Sequence, residues 1–196
     1  NALDFIIPAY ETMWRVVAVG VARFHRDQVD TLTAFFDIPT REQFGRNWSQ
    51  QVGPNVKALI NEVLRLHPPT KRISRALPLF PFCNRLPLWV PDFMTRIVTA
   101  DIEALHRDTN IWGPDANVFN PGRYDSMTAR QERSLMPFGD GPLRCIAYNW
   151  APFVAGLLVA AVVKEIDSDP CLSIVEGESI GVRDGWDGWK IVRSPL

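Results

Sequence analysis

A mainly α-helical fold with minor β is predicted by three observations. Two long apolar stretches of helical length lie toward the two ends of the chain, Ala2–Phe24 and Ile146–Glu165. A shorter amphipathic helix, Val56–Leu66, stands between them. The segments of strand character are few and short, and the long helices are separated from them.

The first stretch reads as one helix, with Pro8 marking a disturbance because proline removes a backbone donor. It begins at once from Asn1, without a basic leader or a small-residue cleavage site, so we expect the chain to start partway through a helix and to be a piece of something longer. A second helix is expected near Asp27–Phe36. Thr40-Arg41-Glu42-Gln43 fits a capping box, in which hydroxyl and amide satisfy each other's backbone donors. Val56–Leu66 must stop before Pro68-Pro69. Lys71–Leu77 and Thr95–Ala100 read as strands, and Asp101–His106 as a single helical turn. Gly113–Phe138 is expected to be mostly irregular, punctuated by Pro114, Pro121 and Pro137. After the long helix Ile146–Glu165, short strands and turns close the chain, with Gly185 and Gly188 marking a hairpin. No linker divides residues 1–196 into two domains.

Composition narrows the function. The 196 residues carry a net charge of −1, without the cationic surplus that phosphate binding needs, so nucleic acid is not the expected partner. With 46% hydrophobic residues and 11% aromatics the chain can bury a core. The cysteines Cys83, Cys145 and Cys171 are odd in number and lack paired spacing, which fits neither a disulfide framework nor a zinc ribbon. The apolar run Ala151–Val163 is 13 residues long, too short for a membrane span of about 20 residues.

Three constellations carry chemistry. Phe138-Gly139-Asp140-Gly141-Pro142-Leu143-Arg144-Cys145 delivers one cysteine from a glycine-rich loop to the expected start of a long helix. A thiol there would meet the positive helix end, which favours the metal-binding thiolate; a buried free cysteine is the alternative reading. Glu62 and Arg65 share one helix face. Arg123, in the Pro-rich stretch Phe119–Tyr124, could join them in a buried cluster that holds a loop otherwise short of hydrogen bonds. Glu11-Thr12 puts an acid beside a hydroxyl in mid-helix. The histidines His25, His67 and His106 have no metal-ligand spacing and read as structural or exposed.

In this order the motifs resemble the C-terminal part of the cytochrome P-450 haem-thiolate monooxygenases. The matching pieces are Ala9-x-Glu11-Thr12, Glu62-x-x-Arg65 followed by Leu66-His67-Pro68-Pro69, Ala104-Leu105-His106-Arg107-Asp108 with Trp112, Phe119-x-Pro121-x-Arg123-Tyr124, and Phe138-Gly139-x-Gly141 leading to Cys145. The first of these, followed by Trp14-Arg15, looks closest to filamentous-fungal members. The resemblance implies a partial domain of that fold, from the end of the distal helix to the terminal strands.

It also implies roles. Cys145 would be the axial thiolate of haem iron, the ligand that pushes electron density toward O–O cleavage. Arg75, Phe138, Gly139, Gly141 and Arg144 would contact the macrocycle or its propionates. Thr12 and Glu11 would relay protons on the distal side, and Glu62, Arg65 and Arg123 would form the cluster behind the haem. Pro69 and Thr70 fall where the family lines its substrate pocket. An electron-donating reductase and an apolar small substrate would be the partners. Any membrane anchor would lie outside this chain, and the full-length parent would sit on the cytosolic face of the endoplasmic reticulum.

Three departures stand out. Leu143 occupies the usual arginine position two before the cysteine, with Arg144 one residue later; Ala147 replaces a glycine; Pro8-Ala9 replaces the commoner Ala-Gly. Two other readings compete. One is a truncated remnant that holds haem weakly or not at all. The other is a peroxide-using isomerase or dehydratase, against which Thr12 argues.

Overall fold

The computed structural model describes residues 3–45, 53–79, 95–181 and 185–194. Cys83 lies outside them. Helix α1 (Leu3–Phe24) runs through Pro8 without interruption. Helix α2 (Val29–Asp37) follows closely, and its last turn is tied to the long C-terminal helix by Lys164, which donates to Asp37. Thr40 caps the short α3 (Arg41–Phe44) by accepting from the Gln43 N–H.

Helix α4 (Val56–Leu66) is capped by Asn55, whose side chain accepts from the Ala58 N–H at 2.8 Å. It is buried on nearly all sides, polar Glu62 and Arg65 included. Strands β1 (Arg72–Pro78) and β2 (Thr95–Asp101) pair antiparallel, with Arg72 opposite Asp101 and Arg75 opposite Val98. Asp101 then caps α5 (Ile102–Arg107), and Asp108 caps α6 (Thr109–Trp112).

The stretch expected to be irregular is more ordered than its prolines suggest. It holds a 3-10 turn, Pro121–Asp125, and helix α7 (Ala129–Ser134). A complete capping box, Thr128 with Gln131, starts α7. The long C-terminal helix α8 spans Ala151–Ser168, not Ile146–Glu165. Residues Ile146–Asn149 form a separate 3-10 turn. Pro152 explains the correction: in the second position of a helix it is tolerated, whereas a helix from Ile146 would bury it in the interior against the Tyr148 carbonyl. Strands β3 (Leu172–Val175) and β4 (Lys190–Arg193) pair antiparallel, with Gly185 and Gly188 at positive φ in the connection.

The core lies where α1, α2, α4 and α8 meet, around Val19, Leu32, Phe35, Leu59, Ile60 and Val159. Glycines set two crossings. A Cβ on Gly20 would lie 2.6 Å from Val159 Cγ2, and one on Gly156 would lie 2.9 Å from Val56 Cγ1. Phe35, Phe44 and Phe153 interlock α2, α3 and α8, with ring centroids 5.3–5.7 Å apart. On the opposite side of α1 and α8, facing the second hairpin, an apolar groove of about 850 Å³ is lined by Tyr10, Met13, Trp14, Trp150, Val154 and Trp186. Among the described residues no helix is long and apolar enough to cross a membrane.

Candidate functional site

The cysteine loop is closed by backbone hydrogen bonds. The Cys145 N–H donates to the Phe138 carbonyl at 2.9 Å, and the Arg144 N–H donates to Gly141 O at 3.0 Å. Gly139 and Gly141 hold φ of +70° and +68°, a conformation that a side chain resists. Gly139 is also wedged against β1, because a Cβ there would lie 3.3 Å from Ile73 Cδ1. Arg75, on the same strand, donates from Nη2 to the Asp140 carbonyl at 2.9 Å. Strand β1 therefore carries both the packing and the polar tie that fix the loop. Phe138, half-buried, packs against the main core.

Cys145 is exposed at the tip of this loop. It precedes the 3-10 turn Ile146–Asn149, and α8 begins six residues after it. The expected help from the long helix's dipole is thus absent, since that effect fades within a turn. Arg144 lies with its guanidinium 3.9 Å from the Tyr148 ring centroid, stacked on the aromatic face. Cys171, the other described cysteine, is a poorer ligand candidate, because burial and the Asp169 carboxylate push its thiol up. No group of three or more His, Cys, Asp or Glu among the described residues could hold a bare metal ion.

On α1, Thr12 Oγ1 donates to the Pro8 carbonyl at 3.0 Å and approaches that of Ala9 at 3.3 Å. Glu11 accepts from Arg15 Nη2 at 2.8 Å. Neither the groove described above nor a second, more polar cavity of about 880 Å³ lined by Lys57, Tyr124, Phe138, Arg144 and Tyr148 includes Glu11, Thr12 or Cys145.

Glu62, Arg65 and Arg123 come together. Arg65 grips Glu62 with Nε and Nη2, both at 2.8 Å, and Arg123 Nε reaches Glu62 Oε1 at 3.1 Å. The Glu62 and Arg65 side chains are fully buried and that of Arg123 is 6% exposed. Arg65 Nη1 donates onward to the carbonyls of His106 and Ala116, both at 2.6 Å. Arg123 donates to the carbonyls of Trp112, Asp115 and Val118 and to the Asp115 carboxylate.

Residues without an assigned role in the sequence complete this centre. Tyr124 OH donates to Glu62 Oε2 at 3.2 Å; burial and the Glu62 charge hold its phenol well above the ordinary value. The Asn120 N–H donates to Glu62 Oε1 at 2.9 Å. His106 is wholly buried: the Arg65 carbonyl can only accept, so Nδ1 carries the proton, and Nε2 accepts from the Met136 N–H at 3.0 Å. Burial, and then the Arg65 and Arg107 charges, lower its pKa to about 4 against the opposing hydrogen bond. Tyr124 and His106 sit inside quoted motifs, which was the available signal.

A family model described as Cytochrome P450 matches residues 53–171. The chain belongs to the cytochrome P450 family. It is 30% identical to a cytokinin hydroxylase of Arabidopsis thaliana over 146 residues, covering 71% of this chain and 25% of that protein. It is 29% identical to the cytochrome P450 monooxygenase alt2 of Alternaria solani over 144 residues, 70% of this chain and 25% of the relative. A bifunctional cytochrome P450/NADPH–P450 reductase of Bacillus subtilis is 31% identical over 116 residues, 57% of this chain and 10% of that protein. The chain spans about a quarter of the length of the first two of these relatives. Plant, fungal and bacterial cytochromes P450 all match, so a filamentous-fungal character is not confirmed. The helical fold with two small sheets agrees with part of the cytochrome P450 fold.

Proposed function

We propose that the chain is the C-terminal, haem-carrying part of a monooxygenase that inserts one oxygen atom into an apolar organic substrate, using electrons from a reductase. The observation that carries this reading is the cysteine loop: one exposed thiol, Cys145, on a loop closed onto Phe138 and tied through Asp140 to Arg75. Such a donor set fits haem, which asks the protein for one strong ligand, and does not fit a bare ion, which asks for three or four. When bound, haem would supply the activation of dioxygen. The chain's own groups have distinct tasks in this reading. The Cys145 sulfur would bind the iron. Arg75, half-buried beside the loop, would face a propionate. Gly139 and Gly141 would let the backbone approach the macrocycle. Thr12 Oγ1 would hold a proton that Glu11 replenishes, and Pro69 and Thr70 would touch substrate. For the full-length parent we propose the cytosolic face of the endoplasmic reticulum.

A second reading, a remnant with weak or no haem binding, is favoured by the apolar face that α1 leaves open, where Ile6, Ile7 and Tyr10 are 56–67% exposed. Haem titration of the purified chain, reduced and treated with carbon monoxide, decides between the two. A thiolate spectrum that Cys145→Ser abolishes and Cys83→Ser leaves intact supports the monooxygenase part. Absence of stoichiometric binding supports the remnant.

A further inference from the structure

We propose that His106 is a positioning residue for Cys145, because it ties the root of the cysteine loop to the Glu62–Arg65 centre. The inference deepens the proposed function and rests on it, since Cys145 needs a fixed place only as a ligand. His106 and Arg65 hold each other reciprocally. The ring donates from Nδ1 to the Arg65 carbonyl at 3.1 Å, and Arg65 Nη1 donates to the His106 carbonyl at 2.6 Å. The imidazole stands edge-on to the Trp112 ring, with centroids 6.5 Å apart, and the Trp112 indole N–H donates to the Leu105 carbonyl at 3.1 Å. A wholly buried ring held on these sides has little freedom to turn. Its remaining nitrogen, Nε2, accepts from the Met136 N–H at 3.0 Å, 30 residues along the chain.

Met136 begins the turn that carries the loop. Its carbonyl accepts from the Gly139 N–H at 3.0 Å, and within that turn Phe138 presents the carbonyl that receives the Cys145 N–H at 2.9 Å. Both main-chain groups of Met136 are therefore engaged, one by the loop and one by His106. Strand β1 fixes the far side of the loop through Ile73 and Arg75, and His106 fixes its root. Only a neutral imidazole can donate from one nitrogen and accept at the other. Burial keeps the His106 ring in that form at neutral pH, with a pKa of about 4. A sulfur that must meet one metal position gains from a backbone held at both places.

The test is amide hydrogen exchange of the isotopically labelled 196-residue protein without added haem, comparing wild type with His106→Asn and His106→Gln. The Asn amide overlays Nδ1, so it can donate to the Arg65 carbonyl but stops short of Met136. The Gln amide overlays Nε2, so it can accept from Met136 and gives up the bond to Arg65. Each variant thus loses one hydrogen bond, but a different one. His106→Asn should speed exchange at Met136, Gly139 and Cys145 by about tenfold relative to the core amides of α4 and α8, the effect of one lost hydrogen bond. His106→Gln should leave those three amides within about twofold of wild type on the same scale. A merely structural histidine would give the same acceleration in both variants, spread over loop and core alike. If His106→Asn does not fold, His106→Phe, which keeps a ring against Trp112, takes its place under the same criteria. Equal acceleration in the two variants, or wild-type loop rates in the variant that lacks the Met136 bond, overturns the proposal. Since no haem is present, a failed haem titration would overturn the proposed function and leave this coupling to be judged by exchange alone.

Discussion

Glu62 receives two hydrogen bonds from Arg65 and one each from Asn120, Arg123 and Tyr124, and this convergence grades the expected mutant effects. Arg123→Ala removes a buried cation and leaves Glu62 undercompensated, so it should cost about 3–5 kcal/mol in urea unfolding. Tyr124→Phe deletes one of several donors and should cost about 1 kcal/mol. Equal effects would show that the centre is not organised around Glu62. His106 gives a pH dependence. Its pKa is lowered in the folded chain to about 4, so the unfolded chain takes up a proton that the folded chain refuses. Its stabilising contribution is complete above the unfolded value of about 6.5 and is lost as pH falls toward 4, at about 1.4 kcal/mol per pH unit. His67 is lowered to about 4 as well, first by burial and then by the Arg23 and Arg107 charges, so the slope in that window should be nearly doubled. His106→Gln should remove about half of the slope, measured as unfolding free energy at pH 7, 6 and 5.

Helix contacts make a prediction of a different kind. Gly20 and Gly156 sit where α1 and α4 cross α8, and the nearest atom facing each belongs to a valine, which is stiff at χ1. Gly156→Ala should overpack the crossing and destabilise by about 1–3 kcal/mol, despite the better helix propensity of alanine. A gain in melting temperature would show that the helices can move apart freely. The same elements show what a sequence discloses. The limits of α4 match the expected Val56–Leu66 to the residue; Pro68-Pro69 was the sequence signal for its end, and the structure adds the Asn55 cap at its start. The start of α8 was misread because Ile146–Asn149 is apolar enough to pass for a first turn, although Pro152 held the correct answer. In the candidate site, the glycines of the cysteine loop and the Glu62–Arg65 spacing are local signals and were legible. The tie from Arg15 to Pro69 and the clamp of His106 on Met136 span 54 and 30 residues, a distance at which no local pattern points to the partner.

At the scale of the whole molecule, the groove between α1, α8 and the second hairpin leaves Tyr10, Trp150 and Leu158 40–70% exposed, an uncommon density of apolar surface on a folded chain. The 196-residue protein should bind a hydrophobic dye strongly, and Leu158→Lys, at a position already 42% exposed, should weaken that binding several-fold without loss of helical circular dichroism. Dye binding unaffected by that change would place the open surface elsewhere. The long connection from Trp112 to Arg123 makes the opposite case. Surface loops are where proteases usually cut first. Here the carbonyls of Trp112, Asp115, Ala116 and Val118 are engaged by Arg65 and Arg123, so the strand that a protease needs in extended form is already bonded to the interior. Nicking between Gly113 and Asn120 should therefore wait for opening of the Glu62 centre, and its rate should follow the unfolding equilibrium of the domain rather than the local motion of a loop.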